Sequence, residues 1–263
     1  MSGTNTFTRD GVSIRFQVDG REGAPWIVFS NSICTDLSLW EGQAAALAPN
    51  FRVLRYDQRG HGGSSVPSAP CTFEQLGGDV AALLDHLGIA RCTFVGLSMG
   101  VPTGLQLYKD QPQRIERLVL CDGQAATAPA GAAGWEERIE MARRESMSAF
   151  ADATVGRWFT SDQVKDGRAD VVRRMIAETP FAGFEACARA LQNYAYADVL
   201  PRIAVPTLLI AGKDDGKMPE TMARMRDAIS GSQFVEIASA GHIPGIAQPS
   251  VFNRALLGFL GVR

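Results

Sequence analysis

Gly96-Leu97-Ser98-Met99-Gly100 constrains this chain more than any other stretch. The pentapeptide leaves a short apolar run, Cys92-Thr93-Phe94-Val95, and opens a segment of helical character. A serine on a sharp strand-to-helix turn is pushed outward with its hydroxyl exposed. The flanking glycines are needed because a Cβ there would clash with the strained backbone. The pattern alone is weak: with 27 glycines in 263 residues, about 0.2 occurrences are expected by chance. Its context carries the weight. An apolar run precedes it, a helix follows, and a candidate acid and a candidate histidine come later in that order.

A chain of 263 residues accommodates one large α/β domain or two small ones. With 46% hydrophobic and 21% charged residues, it is expected to bury a full core rather than remain disordered. A net charge of −2 offers no electrostatic footprint for nucleic acid or an anionic membrane. Met1-Ser2-Gly3-Thr4 lacks a basic or apolar leader, so no secretory signal is expected. The longest apolar runs, such as 203–211, fall short of the ~18 residues of a membrane helix. The five cysteines, Cys34, Cys71, Cys92, Cys121 and Cys187, are widely spaced with no C-x-x-C. Neither a disulfide framework nor a zinc cluster is expected, and a reducing cytoplasm is the natural setting.

The first 122 residues alternate β-rich runs with helical stretches. Residues 14–18 alternate like a half-buried strand, and 26–29 and 52–56 read as buried strands. Over 72–87 the apolar residues Phe73, Leu76, Val80, Leu83, Leu84 and Leu87 recur at spacings of three and four, which predicts a helix that Gly88 stops. A strand at 92–95, a helix from Ser98 to about Asp110 and a strand at 118–121 follow. This alternation implies right-handed crossovers and a mostly parallel sheet.

From Gly123 the pattern changes. Residues 123–134 are rich in Ala, Gly and Pro and read as a linker. Residues 135–150, 170–179 and 181–194 read as helices with no strand between them. Strand patterns resume at 206–211 and 233–237, and a last helix is expected over 249–260. This predicts a core of residues 1–122 and 202–263 with a helical cap of 123–201 inserted after the sixth strand, the layout of the α/β-hydrolase fold with a lid. In such sheets ligands bind at the carboxyl ends of the strands, and Ser98, Asp122, Asp215 and His242 all fall at that edge.

Serine needs a base within hydrogen-bond reach, and the base needs an orienting acid. Of three histidines, His61 sits in a tight turn and His86 inside the 72–87 helix, where each reads as a satisfied polar group. Only His242, in the loop after the last strand, has the order nucleophile, acid, histidine. Three acids remain open: Asp215, favoured by the Gly212-x-x-Asp spacing, its neighbour Asp214, and Asp122 at the end of the preceding strand. For the oxyanion, one donor is expected at the Met99 amide, at a helix N-terminus. Ile33 is the choice for the second, from the loop Asn31-Ser32-Ile33-Cys34.

These residues resemble 3-oxoadipate enol-lactonases. The resemblance runs through residues 31–40, 52–57 with Arg59-Gly60-His61-Gly62, the elbow pentapeptide, 117–121, Trp135 with Arg138, and Arg157-Trp158-Phe159-Thr160. It covers nearly the whole chain. It implies Ser98, Asp215 and His242 as a triad, Ile33 and Met99 as oxyanion donors, and Trp135, Arg138 and Trp158 as substrate contacts. It also implies a place in the β-ketoadipate pathway of aromatic catabolism. Trp135 and Arg138 lie three apart on one helix and share a face. Their pairing suits an apolar ring bearing a carboxylate, which a planar guanidinium binds through both oxygens. The chain departs from the family at Cys34, where Gly is usual, at Val101-Pro102, and around residues 213–218 and 243–246.

The expected activity is therefore hydrolysis of a small ester or lactone with no metal or organic cofactor. The alternatives are a carboxylesterase acting on another small ester and a lidded binding protein without turnover. The elbow serine disfavours dehalogenase chemistry, which uses Asp there. No nucleic-acid or membrane partner is expected, and nothing in the sequence sets an oligomeric state.

Overall fold

The computed structural model describes residues 3–9 and 11–262. The first two residues of the amino-terminal segment read above lie outside it. The chain runs β1 (Asn5–Arg9), β2 (Val12–Gly20), β3 (Trp26–Ser30), α1 (Glu41–Leu47), β4 (Arg52–Tyr56), α2 (Phe73–His86), β5 (Cys92–Leu97), α3 (Gly100–Asp110) and β6 (Ile115–Cys121). It continues through α4 (Gly131–Arg144), α5 (Met147–Trp158), α6 (Ser161–Lys165), α7 (Asp170–Glu178) and α8 (Phe181–Gln192). It closes with β7 (Thr207–Gly212), α9 (Met218–Ala228), β8 (Gln233–Ile237), α10 (Pro244–Ala247) and α11 (Pro249–Leu260).

The strands form one sheet in the order β1-β2-β4-β3-β5-β6-β7-β8. The β1–β2 and β2–β4 pairs are antiparallel, and the rest are parallel. In β5, Cys92, Thr93, Phe94 and Val95 are each at most 2% exposed. Successive strand residues point to opposite faces, so both faces of the sheet are covered there. Helix α3 packs on β5, and α2 packs on α3.

Helix α2 has the expected buried face of Phe73, Leu76, Val80, Leu83 and Leu84. It opens with a capping box: Thr72 Oγ1 accepts from the Gln75 amide at 3.3 Å, and Gln75 Oε1 accepts from the Thr72 amide at 3.1 Å. It ends where Gly88 takes φ +63°.

The region between β6 and β7 differs in detail from the sequence reading. Gly131 to Gly134 belong to the first turn of α4, so the irregular segment is shorter than residues 123–134. The helix expected over 135–150 is broken at Ser146, whose Oγ caps α5 by accepting from the Ala149 amide at 3.2 Å. Helix α5 then runs on to Trp158. A mid-pattern serine is neutral in periodicity yet strongly favours a cap, and its side-chain hydrogen bond restarts the helix. Strand β1 and the helices α6, α9 and α10 had no matching expectation. β1 is an exposed edge strand with little apolar alternation to read, and α9 buries only Met222 and Met225.

The two ends of the segment between β6 and β7 are tied by a bridge between Ala126 and Ala195. Helix α8 sits on the turn after β4 at backbone distance: a Cβ on Gly60 would lie 2.8 Å from Gly183 Cα. Only glycines allow that approach, and Gly60 adopts φ +82° as well. Among the described residues no helix is long and apolar enough to cross a membrane.

Candidate active site

Ser98 sits on the turn between β5 and α3 with φ +54°, a strained left-handed conformation for a residue with a Cβ. The strain is held by the surrounding backbone. The Ser98 amide donates to Cys121 O at 2.8 Å, and its carbonyl accepts from the Val101 amide at 2.9 Å. A Cβ on Gly100 would lie 2.5 Å from Ser30 O, and one on Gly96 would strike the Gly100 carbonyl. Both glycines of the pentapeptide are thus required by contact with backbone, as its spacing implied.

The turn opens onto a cavity of about 360 Å³, lined by Ser98, His242, Asp215, Asp122, Ile33 and Cys34 from the sheet edge. From α4, α5 and α8 come Trp135, Arg138, Phe150, Arg157, Trp158 and Leu191. The carboxyl ends of β5, β6, β7 and β8 supply Ser98, Asp122, Asp215 and His242 through the loops that follow them.

His242 Nδ1 lies 2.7 Å from Asp215 Oδ2. The histidine loop is held from two sides. The His242 amide donates to Trp158 O at 2.9 Å, and the Trp158 ring lies 4.9 Å from the imidazole, tilted by 32°. The acid turn packs on the same loop: the Asp214 amide donates to Ala240 O at 2.8 Å, and a Cβ on Gly212 would lie 2.6 Å from that oxygen. The Asp214 side chain is exposed. Asp122 is fully buried, with Oδ1 accepting from the Gly212 amide at 2.8 Å. Of the three candidate acids, Asp215 is the one in contact with the imidazole. Among the described residues no hydrogen bond joins Ser98 to His242, an interaction that is often long until substrate binds.

The other two histidines lie elsewhere. His86 is exposed and stacks on Phe7, with ring centroids 4.6 Å apart. His61 is buried, with Nδ1 3.0 Å from Arg59 O and Nε2 without a partner, so it is only half satisfied. Burial lowers its pKa from 6.5 to about 4. Between those two values the unfolded chain binds the extra proton, so stability is lost as pH falls through that window. Stability is expected to drop by about 2 to 3 kcal/mol from this group between pH 7.5 and pH 4.5. Urea denaturation of the wild type and His61→Gln at both pH values checks it. Equal acid losses in the two proteins would rule His61 out as the source.

Ile33 and Cys34 follow β3. Asn31 Nδ2 donates to Tyr56 O at 3.0 Å, and Gln58 Nε2 donates to Asn31 O at 2.6 Å, which braces the loop from below. Buried Asp57 holds its far side by accepting from the Leu37 and Gly63 amides and from Arg15. Cys34 adopts φ +59°, the conformation that glycine takes without strain. That is the physical content of a cysteine standing where the resemblance expects glycine. Burial pushes the Cys34 thiol well above its ordinary range, so it is a neutral wall of the cavity. Met99 is fully buried and immediately precedes α3, with its amide directly after Ser98.

Trp135 and Arg138 share a face of α4, with the guanidinium carbon 4.6 Å from the indole centroid. Arg157, more exposed, donates to Thr154 Oγ1 at 2.9 Å. Among the described residues neither guanidinium has a carboxylate within ion-pair distance. Burial lowers the pKa of both, and the charge of Arg138 lowers that of Arg157 further. The resemblance includes Arg157 but implies no role for it. The signal that finds it, a second cation unpaired beside the first, exists only in three dimensions.

The alpha/beta hydrolase fold family matches residues 25–249. The chain is similar to 3-oxoadipate enol-lactonase 2 of Acinetobacter baylyi, with 35% identity over 96% of this chain and 94% of the other. It resembles the solved enol-lactonase of Burkholderia xenovorans LB400, with 40% identity and a TM-score of 0.92 over 98% of this chain and 100% of that one. It is also similar, at 28% identity over 94% of this chain and 96% of the other, to the putative carbamate hydrolase RutD of Stutzerimonas stutzeri.

Proposed function

The chain belongs to the alpha/beta hydrolase family and is an ester hydrolase, and on that premise we propose that it opens a small lactone bearing a carboxylate, with 3-oxoadipate enol-lactone as substrate. The observation that carries the reading is the unpaired Arg138 guanidinium over Trp135, in the same cavity as Ser98 and the Asp215–His242 pair. A half-buried cation in this cavity that no carboxylate of the described residues pairs favours a ligand that brings one.

In this mechanism Ser98 Oγ attacks the lactone carbonyl while His242 takes its proton and Asp215 steadies the imidazolium. The Met99 and Ile33 amides receive the oxyanion. The intermediate collapses by breaking the ring C–O bond, His242 gives its proton to the leaving enol oxygen, and the enol stays tethered because the substrate is a ring. Water, deprotonated by His242, then releases the acid, and tautomerisation of the enol to the ketone draws the reaction forward. Residues 123–201 act as a cap over a core of 1–122 and 202–263, and supply Trp135, Arg138 and Trp158 to the substrate. The reaction belongs to the β-ketoadipate pathway of aromatic catabolism in the cytoplasm.

A carboxylesterase acting on a neutral ester is the second reading. The apolar wall of Phe150, Leu191 and Trp158 favours it. Measuring kcat/KM on 3-oxoadipate enol-lactone beside p-nitrophenyl acetate separates the two. A preference of about 10³ or more for the lactone, or ~4 kcal/mol of transition-state binding, is the expected result. Equal or reversed preference overturns the lactonase reading.

A further inference from the structure

Asp122 ends β6 with φ +39°, a conformation strained for aspartate and retained in a fully buried position. Its Oδ1 accepts from the Gly212 amide, at the root of the turn that carries Asp215. Its Oδ2 is enclosed and has no partner if the group is a carboxylate. The Asp122 and Asp215 side chains line one cavity, and Gly212, whose amide Asp122 holds, lies three residues before Asp215. An enclosed carboxylate oxygen with neither donor nor cation is costly, and a second carboxylate on the same cavity adds to the cost of ionising it.

We propose that Asp122 is a positioning residue whose Oδ2 carries a hydrogen and donates it to the Asp215 carboxylate, holding that carboxylate on His242 Nδ1. The inference rests on the Ser98–His242–Asp215 reading. It turns the orphaned oxygen into a donor and leaves the single negative charge where the imidazole faces it. The charged and titratable groups around the pair agree. Asp215 comes from the turn after β7, His242 from the loop after β8, Arg138 from α4 and Arg157 from α5, all on one cavity. The Cys121 thiol beside Asp122 is held neutral by burial. Asp215 has the imidazole as its partner, whereas among the described residues Asp122 has no cationic one. Burial first, and the Asp215 charge second, raise Asp122 well above the usual carboxylate range.

The test is kcat, KM and the pH profile of kcat/KM for the wild type, Asp122→Leu, Asp122→Asn and Asp215→Ala. Asp122→Leu is expected to lower kcat by about 30-fold with KM little changed, because Asp215 loses its anchor. Asp122→Asn, whose amide still donates, is expected to recover most of that loss and keep the acidic limb of the profile in place. An ionised Asp122 would instead move that limb down by about half a pH unit or more in the Asn variant, since a negative charge near His242 would be gone. That shift, or full activity in Asp122→Leu, overturns the inference. Should the Leu variant fail to fold, thermal melting of the Asn variant decides as well. Folding holds a proton on Asp122 that the unfolded chain releases at neutral pH, so Asp122→Asn is expected to melt higher than the wild type at pH 8, and the gain to vanish at pH 3. A lower melting point at pH 8 contradicts it. Asp215→Ala separates the premises: if it retains full activity the triad reading fails, whereas loss there with a wild-type-like Asp122→Leu sinks the positioning role alone.

Discussion

Ser98→Ala is expected to lower kcat/KM by about 10⁴-fold or more on any ester or lactone the protein hydrolyses, with folding intact. The expectation follows from what the hydroxyl does and where it sits. Ser98 is held at φ +54° by its backbone contacts with Cys121 and Val101 and by glycines that admit the Ser30 and Gly100 carbonyls. None of these contacts uses Oγ, so alanine leaves the turn and the cavity as they are. What disappears is the atom that becomes the acyl ester. The oxyanion donors and the binding surface would remain, and they account for whatever residual rate is seen. Single-turnover assays on p-nitrophenyl acetate, with a circular dichroism melt as control, check the result. Retention of more than about one-tenth of the activity in a folded variant would refute the serine mechanism.

Arg138→Leu is expected to cost about 10²-fold in kcat/KM on 3-oxoadipate enol-lactone and less than about 3-fold on p-nitrophenyl acetate. Removing one partner of a desolvated ion pair costs about 2 to 5 kcal/mol, and the half-open cavity puts this case near the lower end. The guanidinium lies 4.6 Å from the Trp135 centroid, and among the described residues no carboxylate is in ion-pair range. Its loss therefore strands no internal partner, and leucine keeps contact with the indole. The same substitution is expected to leave stability unchanged or slightly raised, because burial already penalises this charge. Equal losses on both substrates would mean that Arg138 shapes the cavity rather than binding a carboxylate. No loss on the lactone would transfer that role to Arg157.

How far the residue pattern reached depended on whether a constraint was local. The helix over Phe73–His86 carries its own stripe, its capping box and a terminal glycine, so it was readable almost to the residue. The break between α4 and α5 was not. One serine cap decides it, and helical periodicity runs through Ser146 without a mark. Strand β1 was missed because its pairing with β2 comes from the hairpin rather than from an apolar face of its own.

The sequence by itself determined the nucleophile turn, the mostly parallel character of the sheet around it and, by elimination among three histidines, the one imidazole placed after the last strand. These are short-range matters: a glycine with no room for a Cβ, a period of apolar residues, a position in chain order. The tertiary structure alone decided which aspartate meets that imidazole. Gly212 packs against the Ala240-Gly241 backbone, Asp214 is turned outward, and Asp215 Oδ2 comes to 2.7 Å from His242 Nδ1. It alone also buried Asp122 beside the pair and set Arg157 next to Arg138. Contacts between loops from different strands are set by how the sheet twists and packs, and no spacing along the chain encodes that distance.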